Sequence, residues 1–305
     1  MDSFIEDAVA KIKKQAGSGY AIIGLSGGVD SSVAAILTGR AIGTNLTAVF
    51  VDTGFMRKNE PEFVEKTFAG KYGLNFKLVD AREEFMKALK GVADPEEKRK
   101  IIGHKFIEVF EREAKKVNAK FLVQGTIAPD WIETGGKIKS HHNVTLPHGM
   151  VLELIEPLRD LYKDEVREVA RKLGLPSQIT ERMPFPGPGL AVRVLGEITP
   201  ERLAVVKEAD AIVLEEIEKT NLKPWQALAA ILPGRATGVK GDSREYGYMI
   251  AIRSVESLDA MTATSMHVYW DTLQKISNRI TSEVKGVTRV LYDLTNKPPA
   301  TIEFE

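Results

Sequence analysis

The 305-residue chain contains no cysteine. Disulfides, thiolate zinc sites and every thiol nucleophile are thereby excluded. It also lacks a surplus of either charge, because 42 Lys+Arg balance 42 Asp+Glu. A duplex-binding protein usually carries a basic excess, so the balance points to a metabolic protein with no nucleic-acid partner. No apolar run approaches the ~20 residues of a membrane helix. The opening stretch "MDSFIEDAVAKIKKQAG" carries acids and a helical period where a signal peptide would be apolar. A cytoplasmic location with no membrane partner is the expectation. Internal repeats and low-complexity tracts are missing too. What remains is a chain with 43% apolar residues, long enough for a sizeable core and for two domains.

Phe4, Ile5, Ala8, Val9 and Ile12 recur at three and four, which predicts an amphipathic helix over 2–16, stopped by Gly17 and Gly19. "YAIIGL" reads as a buried strand and "SSVAAILTGRAIG" as a helix ended by Gly43. Strands follow at "LTAVFVD", "NFKLVDA", "KFLVQGT" and "VLELIEPL". Helices lie between or after them at "EPEFVEKTFAGKYG", about Lys105 to Val117, and "KDEVREVARKLG". Apolar strands alternating with helices argue for an α/β fold, a parallel sheet covered on both faces. Ligands of such sheets sit at the carboxyl ends of the strands, where "SGGVDS", "DTGF" and "QGTIAPD" fall. The pattern changes after residue 183. "MPFPGPGLAVRV" is a row of turns. A helix from about Glu201 to Thr220 and short strands at "GYMIAIRSV" and "TRVLYDL" then suggest a smaller α+β domain. The expected division is 1–184 and 185–305.

The first strand ends in "SGGVDSS", which has no lysine. The common nucleotide loop G-x-x-x-x-G-K-[ST] needs that lysine for the outer phosphates. Gly27 and Gly28 let backbone N–H groups turn towards a ligand. A helix beginning near Ser31 aims its positive end at the same place. Ser26, Ser31 and Ser32 add hydroxyls, completing a seat for an anion with several oxygens. Asp30 would repel a bare phosphate but suits one that arrives with Mg²⁺. A capped glycine turn is the plainer alternative.

"SGGVDSS" is similar to the pyrophosphate-binding loop of the N-type ATP pyrophosphatases. Beyond it, "DPEEKRKIIGHKFIEVF", "QGTIAPDWIE", "IKSHHNV", "EPLRDLYKDEVREVARKLGLP", "PFPGPGLAVRVLGE" and "SNRITSEVKGVTRVLYDLTNKPPATIEFE" resemble the GMP synthetase family, in the same order. The resemblance implies an adenine nucleotide alpha hydrolase-like domain followed by a dimerisation domain. It implies a ligase that converts XMP, ATP and ammonia to GMP through an adenylated intermediate. Many members carry a class I glutaminase domain with a cysteine nucleophile. The loop here begins at Ser26 and no cysteine is present, so the chain is expected to be the synthetase subunit of a two-subunit, archaeal-type enzyme. A separate glutaminase subunit would then supply the ammonia.

The family also implies roles for individual residues. Leu25, Ser26, Gly27, Gly28, Val29, Asp30, Ser31 and Ser32 would hold ATP and pyrophosphate, with Val51, Phe106 and Gly125 beside the adenine. Lys139, His141, His142 and Asn143, with Asp130 and Glu133, would form a catalytic lid, and Asp130 is a possible second Mg²⁺ ligand. Arg99, Gly187, Gly189, Gln226, Arg289, Lys297, Ile302 and Glu303 would bind XMP. The C-terminal domain would form a homodimer, with the XMP site near the interface and Arg289 reaching across from the neighbouring subunit. Metal binding by the adjacent His141 and His142 is disfavoured, since no further ligand lies at suitable spacing. NAD synthetase, which shares the loop, and an ATP-sensing module without turnover are the rival readings.

Overall fold

A computed structural model describes residues 1–133, 143–147, 149–258 and 260–305, without the side chains of 131–133, 143–145 and 240. In chain order its elements begin with α1 (Asp2–Ala16), β1 (Ala21–Gly24), α2 (Val29–Ile42), β2 (Leu46–Asp52), α3 (Glu60–Phe68) and β3 (Asn75–Asp80). Next come α4 (Arg82–Ala88), α5 (Pro95–Lys116), β4 (Phe121–Val123), α6 (Ala128–Glu133), β5 (Asn143–Thr145), β6 (Val151–Ile155), α7 (Lys163–Lys172) and α8 (Ser177–Thr180). The chain continues with α9 (Pro200–Glu218), β7 (Gln226–Lys240), β8 (Ser243–Glu256), β9 (Thr264–Ser265), α10 (Trp270–Glu283) and β10 (Val287–Tyr292). Two compact units result. One comprises Met1–Thr53, Asn59–Ala81 and His104–Arg182; the other comprises Gly54–Lys58, Arg82–Gly103 and Met183–Glu305. Among the described residues no helix is long and apolar enough to cross a membrane.

The first unit is built on a sheet of order β3-β2-β1-β4-β6-β5. Every pairing is parallel except that of β5 with β6. All seven residues of β2 are buried, as a strand covered on both faces requires. Ile5, Ala8, Ile12 and Ala16 form the buried stripe of α1, and the N–H of Gly17 closes that helix on Lys13 O at 3.0 Å. From β1 the chain runs outward through β2 and β3, then returns to lay β4 on the other side of β1. The order therefore reverses between β1 and β4, and a crevice at their carboxyl ends is the expected ligand site of such a sheet.

α5 starts ten residues before the apolar periodicity suggests. Its first turn is polar, and its start is set by local chemistry: Pro95 is the first helical residue, Glu96 and Glu97 follow, and Asp94 Oδ1 accepts the Glu97 N–H at 2.8 Å.

The second unit carries a sheet of order β10-β8-β7, with β9 paired to β8. β8 is antiparallel to β7 and β9 and parallel to β10. α9 packs against β7 and α10. β7 and α10 are not evident from the sequence. β7 contains Pro233 and Gly234, which read as breakers; its register against β8 shifts between Ile231 and Arg235, and this irregularity absorbs them. α10 buries only Thr272, Ile276 and Ile280, too sparse a stripe to stand out.

Candidate active site

The loop after β1 closes on itself through its serines. Ser26 Oγ and Ser31 Oγ lie 3.0 Å apart, and Ser26 Oγ accepts the Gly28 N–H at 3.3 Å. Ser31 Oγ accepts the Ser26 N–H at 3.2 Å, and Ser32 Oγ donates to Gly28 O at 2.7 Å. Gly27 has φ +71°, a left-handed conformation that glycine adopts without strain. α2 begins at Val29 behind Gly28, which has no side chain to cap its first amides. Those amides and hydroxyls are the groups a polyoxygen anion would take up.

Asp30 sits in the first turn of α2. Its Oδ2 pairs with Lys163 Nζ at 2.5 Å, and its Oδ1 is buried with no hydrogen-bond partner among the described residues. Lys163 opens α7, just past the carboxyl end of β6. Gly125, in the loop after β4, presses against the same turn: a Cβ there would lie 2.9 Å from Asp30 C and Ser31 N. The loops after β1 and β4 thus meet where the sheet order reverses. Leu25 and Val51 are buried, and the Leu25 N–H donates to Val49 O at 2.8 Å. Phe106 is half-buried on α5 and stacks on Phe110 at 6.4 Å between centroids. Asp130 Oδ2 accepts the Ile127 N–H at 2.9 Å, ahead of α6. Lys139, His141 and His142 lie outside the described residues, as do the side chains of Glu133 and Asn143.

A second cluster lies in the other unit. Arg193 is wholly buried and makes a fork on Glu303, with Nε to Oε2 at 3.0 Å and Nη2 to Oε1 at 2.9 Å. Its Nη1 reaches Asp210 Oδ1 at 2.7 Å. Burial works against the guanidinium charge, and the charges of Asp210 and Glu303 outweigh it, holding Arg193 above its ordinary pKa. Gln226 Nε2 donates to Glu303 Oε1 at 2.6 Å. Ile302 is buried beside Val255 and Ala263. Lys98, also wholly buried, donates to Val194 O at 2.7 Å and pairs with the Glu305 side chain. Burial pulls Lys98 below its ordinary value, against the hydrogen bond and charge of Glu305.

Other residues expected around XMP fall in the same unit. Arg99 donates to the Glu305 main-chain oxygen. Lys297 Nζ donates to Ala260 O at 2.8 Å. Arg289 is exposed on β10, with Nη2 3.4 Å from Thr237 O. Gly189 lies tight against the Phe55 backbone, where a Cβ would come within 2.4 Å of the carbonyl oxygen; Gly187 faces open space. Sequence reasoning missed Lys163, Arg193, Asp210 and Lys98. Lys163 alone had a positional signal, as the first residue of a helix that follows a sheet strand's carboxyl end.

Residues 1–188 match the family model described as NAD synthase, and residues 215–304 match that of the GMP synthase C terminal domain. The chain is 67% identical to a subunit of the glutamine-hydrolyzing GMP synthase of Thermococcus kodakarensis over 305 residues, covering 100% of this chain and 99% of that protein. The corresponding GMP synthase subunit in Methanocaldococcus jannaschii is 65% identical over 304 residues, with 99% and 98% covered. Among solved structures, the NH3-dependent NAD synthetase of Campylobacter jejuni, in complex with the nitrate ion, superposes with a TM-score of 0.46 at 18% identity. That superposition covers 70% of this chain and 86% of the synthetase. By its family match, the first unit has the NAD synthase-like, N-type ATP pyrophosphatase fold, accompanied by the smaller, mainly antiparallel C-terminal sheet. With both family models matched and full-length identity above 60%, the chain belongs to the family of synthetase subunits of glutamine-hydrolyzing GMP synthase.

Proposed function

We propose that this chain aminates XMP to GMP with ATP, through an adenylyl-XMP intermediate, using ammonia delivered by a separate glutaminase subunit. As a family member it is the synthetase half of a two-subunit ligase of GMP biosynthesis. The observation that carries the chemistry is the uncapped start of α2 behind a left-handed Gly27, ringed by three serines. The β and γ phosphates of ATP sit there, leaving the α phosphorus open to in-line attack by O2 of XMP. The bond to the β-phosphate oxygen breaks and pyrophosphate leaves. Ammonia then adds at C2 and loses a proton, AMP departs with the former O2, and GMP forms. Adenylation is required because an oxygen on C2 is otherwise a poor leaving group.

Mg²⁺ bound with the nucleotide would neutralise phosphate charge. Asp30 fits as its carboxylate, since Oδ1 is buried without a partner among the described residues, and Asp130 is a second candidate. Among the described residues no group of three His, Asp or Glu would hold a metal unaided, which suits an ion completed by phosphate oxygens. Leu25, Val51, Phe106 and Gly125 border the adenine. Lys139 offsets charge developing on the α phosphate, His141, His142 and Asn143 donate to its oxygens, and Glu133 orients the attack. On the XMP side, Lys297, Arg99, Arg289, Gly187 and Gly189 serve the phosphate, while Gln226, Ile302 and Glu303 read the base. The C-terminal unit pairs two copies of the chain.

The test is pyrophosphate release from ATP, Mg²⁺ and ammonium, with and without XMP. Release only with XMP, together with GMP formation from ammonium but not from glutamine alone, is the expected result. Release that ignores XMP would overturn the reading, and so would release that depends on a nicotinate dinucleotide instead.

A further inference from the structure

The loop's outer side is braced by two residues far from it in sequence. Arg182 Nη1 donates to Gly27 O at 2.8 Å, and Nη2 pairs with Glu60 Oε1 at the start of α3. The side chains are only 14% and 6% exposed. They lie flush against the loop: a Cβ on Gly27 would come 2.6 Å from Arg182 Nη1 and 3.2 Å from Glu60 Oε1. We infer that Arg182, held by Glu60, is a positioning residue of the pyrophosphate seat that sets the Gly27–Gly28 peptide plane. This rests on reading the Ser26–Ser32 loop as that seat.

The physical argument is short. A trans peptide is planar, with C=O and N–H antiparallel. Pinning the Gly27 carbonyl to Arg182 therefore turns the Gly28 N–H the opposite way, where Ser26 Oγ meets it at 3.3 Å. A left-handed glycine is free to flip its peptide, and a flipped peptide would present an oxygen to the anion where an amide is needed. The planar guanidinium holds the carbonyl and the carboxylate with two separate nitrogens, a fork that lysine does not reproduce.

The test measures pyrophosphate inhibition against ATP, KM for ATP and XMP, and melting temperature in Arg182→Ala, Arg182→Lys and Glu60→Gln, with ammonium as nitrogen donor. Arg182→Ala is expected to weaken pyrophosphate binding about ten- to hundredfold, the range for losing a charged hydrogen bond, with KM for XMP within about twofold. Arg182→Lys should recover little of this, Glu60→Gln should shift it the same way but less, and millimolar guanidinium should restore the alanine variant. Should Arg182→Ala not fold, a selective loss of pyrophosphate affinity in the other two supports the inference. Unchanged pyrophosphate affinity, an equal loss for XMP, or a failure of guanidinium rescue in folded protein would overturn it. If pyrophosphate does not compete with ATP in the unaltered enzyme, the seat itself is wrong and the inference falls with it.

Discussion

Glu113 on α5 faces Lys77 of β3 at 2.5 Å and Lys116 at 2.7 Å, and is almost fully buried. Burial alone would raise its pKa, but hydrogen bonds from Lys116 and Lys77, with their charges, bring it below the ordinary 4.5. A carboxylate depressed in the folded state stabilises the fold above its unfolded pKa, and that contribution disappears as pH falls through the folded value. Glu113→Gln should therefore cost about 1 kcal/mol at neutral pH. The difference in melting temperature from the unaltered protein should shrink as pH drops below 4.5; a pH-independent difference would refute the assignment. At this scale the sequence was readable where chemistry is local. Ser26 to Ser32 are contiguous, and their arrangement follows from a strand, two glycines and a helix start. Arg182 and Glu60 were not readable, because Arg182 reaches partners 155 and 122 positions away and no pattern ties an arginine before a proline-rich turn to a glycine after a strand.

Among elements, the approach of the loop after β4 to the first turn of α2 decides the shape of the seat. Gly125 is needed because its neighbours there are backbone atoms that have no room to yield. Gly125→Ala should displace the start of α2, raise KM for ATP at least about tenfold and destabilise the fold by about 1–3 kcal/mol, as overpacking does. Titration with ATP and a thermal melt check both; unaltered KM would show that the contact is slack. The parallel sheet was legible from apolar strands such as β2, whose residues are all buried. The starts and breaks were less so. α5 begins on a capping aspartate and a proline, not on periodicity, and β7 runs through Pro233 and Gly234 by shifting register.

In the whole molecule, neither unit is a single stretch of chain. Residues 54–58 and 82–103 belong with the C-terminal unit, an arrangement that composition and turn signals do not reveal. That unit buries the cations Arg193 and Lys98 completely, and their carboxylate partners include Glu303 and Glu305. Stranding a buried charge costs about 3–5 kcal/mol. Removing residues 303–305 should therefore lower the melting temperature of the C-terminal unit sharply, more than Glu303→Gln alone; an unchanged melt would show the cations to be hydrated. During synthesis the same two cations lack these counter-ions until Glu303 and Glu305 clear the ribosome. Arg193 and Glu303 are 110 positions apart and Lys98 and Glu305 are 207 apart, so neither pair can close before that length of intervening chain has been made.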